Sequence, residues 1–209
     1  MLQLVRSLVT VAVGAYLVYV IFNLRGELAA ARARAAEMPA VEAIMTRTSV
    51  RQYAEGSALT PGEIETLERA ALAAPTACNA QPWEVIAVTE PEKLSRIAEV
   101  HPHAGMARNA AAAFIICGGD NGLKGIAKEY WIQDCSAATE NLLLAAHAIG
   151  LGAVWCGVYP IPERVASIKE LFAIPEGYTP LNVICVGRPV APSAPKNKWK
   201  PEKIHLNRW

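Results

Sequence analysis

Arg47-Thr-Ser-Val-Arg51 and Ala74-Pro-Thr-Ala-Cys-Asn-Ala-Gln-Pro-Trp83 are the two stretches that decide the fold. The first places two guanidinium and two hydroxyl groups within five residues, which suits a phosphate held by charge-assisted hydrogen bonds. The second sets Asn79 and Gln81 between two prolines, shortly before the apolar run 85–88. Amide side chains each offer a donor and an acceptor, so they can bind a flat heterocycle or a polyol chain. Together, the two stretches predict a bound nucleotide.

The N-terminal part of the chain is markedly apolar. Residues 7–24 are 18 uncharged residues between Arg6 and Arg25, close to the shortest helix that spans a bilayer. We predict a single-pass membrane anchor here. A cleaved signal peptide, processed within the Ala-rich stretch 28–36, is the alternative. More arginines follow the apolar run than precede it, so the positive-inside tendency predicts that the main domain faces the cytoplasm.

The rest of the chain has the length and charge balance of one globular domain. We predict an anchor and stalk at residues 1–39 and a single domain at residues 40–209. Residues 1–39 hold four of the 20 basic and two of the 19 acidic residues, so the domain carries 16 and 17. This balance argues against a nucleic-acid-binding protein. The five cysteines include no Cys-x-x-Cys pair, which predicts buried free thiols and no zinc site.

Capping signals and short apolar runs predict the secondary structure. Thr60-Pro-Gly-Glu63 has the pattern of a capped helix start, and Thr89-Glu-Pro-Glu92 repeats it. The apolar stretch 130–149 predicts a long central helix, suited to a subunit interface. The proline-rich tail after Arg188 is expected to be extended. Strands are predicted at four apolar runs, residues 83–89, 110–118, 153–158 and 181–187.

Taken in order, these motifs resemble the FMN-dependent nitroreductase superfamily over residues 41–209. The resemblance rests on the two stretches quoted first and on four more: Trp131-Ile-Gln-Asp-Cys-Ser-Ala-Ala138, Gly150-Leu-Gly-Ala-Val-Trp-Cys-Gly157, Val186-Gly-Arg-Pro189 and Lys196-Asn-Lys198. It implies an α+β three-layer sandwich with a mostly antiparallel sheet flanked by helices. It also implies a homodimer that exchanges extended C-terminal arms and shares two FMN sites.

The resemblance also assigns roles to individual residues. In the family's pattern, Arg47 and Ser49 favour the FMN phosphate and Arg51 favours the N1/O2 edge of the ring. Gly157 presents its backbone N–H toward flavin N5. No side chain is required as a nucleophile, so we name no catalytic residue. The implied FMN-binding residues are Arg47, Thr48, Ser49, Arg51, Pro75, Thr76, Asn79, Trp155, Gly157, Lys196 and Lys198, of which Pro75, Thr76 and Asn79 would come from the partner subunit.

The implied activity is electron transfer from NADH or NADPH to a small organic acceptor, such as a nitroaromatic or a quinone, by a ping-pong mechanism. Three alternatives remain open: a reductive dehalogenase, a flavin-breakdown enzyme, or a non-catalytic membrane-tethered flavin-binding module. His101 and His103 could supply protons, but we expect an exposed loop pair. The spacing after Gly150 does not fit a dinucleotide-binding Gly-x-Gly-x-x-Gly motif.

Overall fold

A four-stranded antiparallel sheet forms the centre of the domain. The computed structural model describes residues 39–119 and 122–209, together with residues 16, 19–21 and 24. The strands are β1 (Glu84–Val88), β2 (Ala112–Gly118), β3 (Gly152–Gly157) and β4 (Thr179–Gly187). Their spatial order is β1-β2-β4-β3, and every neighbouring pair is antiparallel. β3 is therefore an edge strand.

Helices cover both faces of this sheet, so the predicted three-layer α+β sandwich is confirmed. Alternate residues of the central strands face opposite helical layers, which explains why β2 is apolar along its whole length and β4 is apolar apart from Thr179 and Asn182. One layer packs against Phe114 and Ile184, and the other packs against Ile115 and Val183. The helices are α1 (Ala40–Thr46), α2 (Pro61–Leu72), α3 (Pro91–Val100), α4 (Trp131–Ala148) and α5 (Pro162–Phe172).

The two predicted helix starts differ in the structure. At α2, Thr60 Oγ1 accepts a hydrogen bond from the backbone N–H of Glu63 (3.2 Å), and Glu63 accepts one from the backbone N–H of Thr60 (2.7 Å). The predicted capping box is therefore present. At α3, the N-cap is Glu90 instead of Thr89, and no side chain caps the helix. Pro91 occupies the first helical position there, where a missing N–H costs nothing.

The prediction of a single-pass membrane protein is wrong for the residues that the structure describes, because no helix there is long and apolar enough to cross a bilayer. The predicted span at residues 7–24 lies outside the described residues, apart from Tyr16, residues 19–21 and Leu24. Contacts divide the chain into Met1–Met38 and Pro39–Trp209. The assignment of residues 1–39 as anchor and stalk stays a prediction.

Candidate functional site

The end of α1 is fixed against α4 by two polar contacts. Thr46 Oγ1 lies 2.8 Å from His147 Nε2. Arg47, the residue after the helix, donates from Nε to Glu140 Oε1 at 3.1 Å, and its side chain is only 19% exposed. Burial and the nearby Arg47 charge lower the pKa of His147, which keeps this neighbour neutral at pH 7. The Arg47 guanidinium therefore has a defined position.

The segment after Arg47 runs parallel to the free edge of β3. Ser49 pairs with Ala153, and the backbone N–H of Val50 donates to the Ala153 carbonyl at 3.0 Å. Gly152 allows this close approach, since a Cβ there would lie 2.7 Å from a Val50 methyl carbon. The edge strand therefore orders the polar residues of the first quoted stretch.

A cavity of about 650 Å³ joins the start of the domain to its C-terminal tail. This volume lies within the range of small-molecule sites in proteins. The lining includes three cationic side chains and two hydroxyl groups, the donor set expected for a phosphate. The structure thus brings together five of the predicted cofactor-binding residues. They come from two segments, residues 47–49 and 196–198, that lie 147–151 positions apart in the sequence. They are Arg47, Thr48, Ser49, Lys196 and Lys198.

Trp155 and Gly157 lie further along β3. Trp155 is 36% exposed. The backbone N–H of Val158 donates to Leu181 of β4 (3.0 Å), while the carbonyl of Ala153 accepts from Val50 on the outer side. Because successive residues of a strand alternate in direction, the N–H of Gly157 points away from β4, toward the free edge. A Cβ at Gly157 would meet no atom of this chain within 4 Å, so the space beside it is open.

The loop between α2 and β1 is tightly folded by its own side chains. Gln81 donates from its backbone N–H to Thr76 Oγ1 (3.2 Å) and from Nε2 to Asn79 Oδ1 (3.0 Å). Cys78, Asn79 and Gln81 all have left-handed backbones, with φ near 50°. Such conformations are costly for residues other than glycine. This loop does not contribute to the lining of the Arg47 cavity.

Comparison with known proteins decides the family. The nitroreductase family matches residues 44–131 and 104–188. The chain belongs to the nitroreductase family.

The most informative relatives of this nitroreductase-family chain carry oxidoreductase names. A protein of Methanothermobacter thermautotrophicus, provisionally named an NADH dehydrogenase/NAD(P)H nitroreductase, is 42% identical over 84% of this chain and 91% of its own length. An FMN reductase (NADPH) of Bacillus subtilis is 24% identical over 79% of this chain and 72% of its own length. A crystal structure from Parabacteroides distasonis, with the same provisional name as the first relative, has a TM-score of 0.76 at 41% identity. It covers 83% of this chain and 100% of its own.

Two residues converge on Gly157 in this family member, and the sequence did not single out one of them, Arg164. His101 donates from Nε2 to the Gly157 carbonyl at 2.9 Å, and Arg164 donates to the same oxygen at 3.1 Å. The expectation that His101 belongs to an exposed loop pair is wrong, because His101 is 1% exposed. The neighbouring His103 is exposed as expected. Only the Pro162-Glu163 helix start could have indicated where Arg164 lies.

The cysteines also differ in part from expectation. All five are free thiols, and four of them are buried, but Cys78 is exposed in the loop between α2 and β1. Its left-handed backbone belongs to a loop that crosses the surface instead of entering the core. Burial raises the pKa of Cys117 and of Cys135 to about 12, so both remain protonated at pH 7.

Proposed function

We propose that this chain is an FMN-dependent oxidoreductase that passes electrons from NADH or NADPH to a small organic acceptor by a ping-pong mechanism. The observation that carries the proposal is the cavity in which Arg47 and Ser49 meet Lys196 and Lys198. The oxidoreductase names of the relatives support the same conclusion.

The residues present fit an FMN phosphate at the cavity. Arg47 is held by Glu140, so its guanidinium is pre-organised and loses little side-chain freedom on binding. Lys196 and Lys198 add charge from the tail, and the hydroxyls of Thr48 and Ser49 add short-range donors. The Glu140 carboxylate partly offsets this charge.

The flavin ring is proposed to lie along the free edge of β3. FMN supplies the two-electron chemistry, and the protein supplies binding, orientation and access. Arg51 is exposed beside Ser49, with Nη1 3.5 Å from the Ser49 carbonyl, and places positive charge near this edge. Trp155 provides an apolar surface, and the open space at Gly157 lets a planar group approach the main chain. In a ping-pong sequence the nicotinamide donor leaves before the acceptor binds, so both use this same edge.

We further propose that the site is completed by a second copy of the chain. Pro75 and Asn79 are exposed and Thr76 is half-buried, outside the Arg47 cavity. A homodimer would let this rigid loop reach the flavin of the partner subunit. The exposed apolar residues of the tail are consistent with that arrangement.

A matched pair of lysine variants tests the phosphate site. Lys198 lines the cavity, whereas Lys200, two residues later in the same exposed tail, does not. Hydrogen bonds to charged groups are worth about 1.5–3 kcal/mol, so K198A should weaken FMN binding by about tenfold or more. K200A should leave it nearly unchanged. Fluorescence quenching of FMN measures both affinities, and equal losses in the two variants would contradict the assignment.

The visible spectrum under argon tests the electron donor. NADPH or NADH should bleach the bound flavin, and a nitroaromatic or quinone added afterwards should restore its colour. A protein that binds no FMN would refute the proposal. Consumption of FMN by oxygen, without turnover of either nicotinamide, would instead favour flavin breakdown.

A further inference from the structure

The carbonyl of Gly157 is held by two donors that come from different parts of the fold. His101 lies just after α3 and is buried, and Arg164 lies in the first turn of α5. Their nitrogens are 2.9 and 3.1 Å from the Gly157 oxygen. Because β3 is an edge strand, no strand among the described residues lies beside Gly157 on this side. The two side chains therefore replace the hydrogen bond that a further strand would make.

The hydrogen bonds of His101 define its tautomer. Gly157 O can only accept, so Nε2 of His101 must carry a proton. The backbone N–H of His103 donates to Nδ1 at 3.2 Å, so Nδ1 must be unprotonated. The ring is thus neutral. Burial, and then the charges of Arg164 and His103, lower the pKa of His101, which agrees with this assignment.

Glycine at the end of an edge strand can leave the extended conformation more easily than other residues. The Gly157 carbonyl belongs to the peptide group that joins Gly157 to Val158, whereas the Gly157 N–H belongs to the preceding one. In an extended strand the N–H and C=O of one residue point to the same side, so holding the carbonyl outward keeps Gly157 extended and its N–H on that side. That N–H faces the open edge where the proposed flavin ring lies. A donor that is pre-organised in this way stabilises developing charge better than one that must first reorient.

We infer that His101 is a positioning residue: as the neutral Nε2–H tautomer, it holds the backbone of Gly157 extended, so that the Gly157 N–H is presented to the redox-active edge of the bound flavin. The inference rests on the proposed function for its chemical meaning. It concerns a histidine that does not itself contact the flavin. Arg164 assists from the other side of the same oxygen.

Three variants separate positioning from simple packing. H101Q keeps a side-chain N–H donor of similar reach, H101L removes the donor, and H103A is the matched control. The exposed His103 ring can be removed because it is the backbone N–H of that residue that bonds to His101. A lost hydrogen bond is worth about 0.5–1.5 kcal/mol. The ratio of the Kd values for oxidised and reduced FMN should therefore change by about two- to tenfold in H101L, and by much less in H101Q and H103A.

Nuclear magnetic resonance of the FMN-free protein provides a readout that does not depend on the flavin. The ring nitrogens of His101 should show the neutral Nε2–H tautomer at pH 7, and the Gly157 amide resonance should shift in H101L more than in H103A. The other tautomer, a protonated ring, or an unchanged FMN affinity ratio in a folded H101L protein would overturn the inference. If H101L does not fold, the tautomer of the wild-type protein still decides. If the wild-type protein binds no FMN, the proposed function fails, while these spectra still show whether His101 holds the backbone of Gly157.

Discussion

Gly152 and Gly157 of β3 lack a side chain for different structural reasons. At Gly152 a Cβ would lie 2.7 and 2.8 Å from atoms of Val50, whereas at Gly157 it would meet nothing within 4 Å. Overpacking costs about 1–3 kcal/mol, so G152A should lower the unfolding free energy by that amount. G157A should leave stability nearly unchanged but weaken FMN binding by about tenfold. Urea unfolding and FMN titration of both variants measure this, and normal FMN affinity in G157A would show that the ring lies elsewhere.

The buried histidine predicts a pH dependence of stability. Burial lowers the pKa of His101 below its ordinary value of 6.5, so below about pH 6.5 the unfolded chain binds a proton that the folded chain does not. The unfolding free energy is therefore greatest above that pH and falls as the pH decreases toward the folded pKa. H101Q should reduce this slope between about pH 7.5 and 5.5, and the lowered pKa of His147 should account for part of what remains. The exposed tail residue His205 offers the control, because H205Q should keep the wild-type slope.

Residue chemistry made part of the site predictable. Arg47 and Ser49 stand out because cations and hydroxyls at such spacing suit a phosphate, and Lys196 because a short basic motif follows the last strand. The structure brings these distant residues into one cavity. His101 could not be identified in this way, because its role depends on a carbonyl 56 residues away. Nothing in the local sequence distinguishes a buried histidine from an exposed one.

At the scale of elements, the capping box of α2 predicts a measurable contribution to stability. Thr60 and Glu63 exchange hydrogen bonds, and Glu63 also pairs with Arg188 at 2.7 Å. Loss of an N-cap side chain costs about 0.5–2 kcal/mol, so T60A should lower the unfolding free energy by about 1 kcal/mol. Thr89 has the same sequence pattern but caps nothing. Urea unfolding of T89A should therefore match the wild type, and an equal loss in both variants would contradict this account.

The elements themselves were largely predictable because their signals are local. Apolar runs identified all four strands, and the long apolar stretch identified α4. The order β1-β2-β4-β3 was not predictable, since it places two strands that are consecutive along the chain, β2 and β3, on either side of β4. α5 was also missed, because Pro162 starts it without a side-chain cap. Long-range packing decides the strand order, whereas α5 lacks the local capping signal.

At the scale of the whole molecule, contacts within a single copy of the chain do not explain the exposed apolar residues of the C-terminal tail. Residues 190–209 are all exposed, including Leu206 at 84% and Trp209 at 100%. Large apolar side chains in a contiguous exposed segment are typical of an interaction surface. The start of the tail is held to the domain by backbone pairing. Pro189 pairs with Tyr53, and the Val190 N–H lies 3.3 Å from the Gln52 carbonyl. A second copy of the chain is the partner that the proposed shared site requires.

Truncation after Trp199 tests this requirement. It removes Ile204, Leu206 and Trp209 but keeps every tail residue that lines the cavity, residues 195–199. Burial of one such side chain is worth about 1.5–3 kcal/mol, so the dissociation constant of the dimer should rise by at least about a hundredfold. Light scattering coupled to size exclusion measures the change, with circular dichroism as the check on folding. A monomeric full-length protein would refute the shared site, and an equally stable dimer after truncation would place the subunit interface on another surface, such as α4.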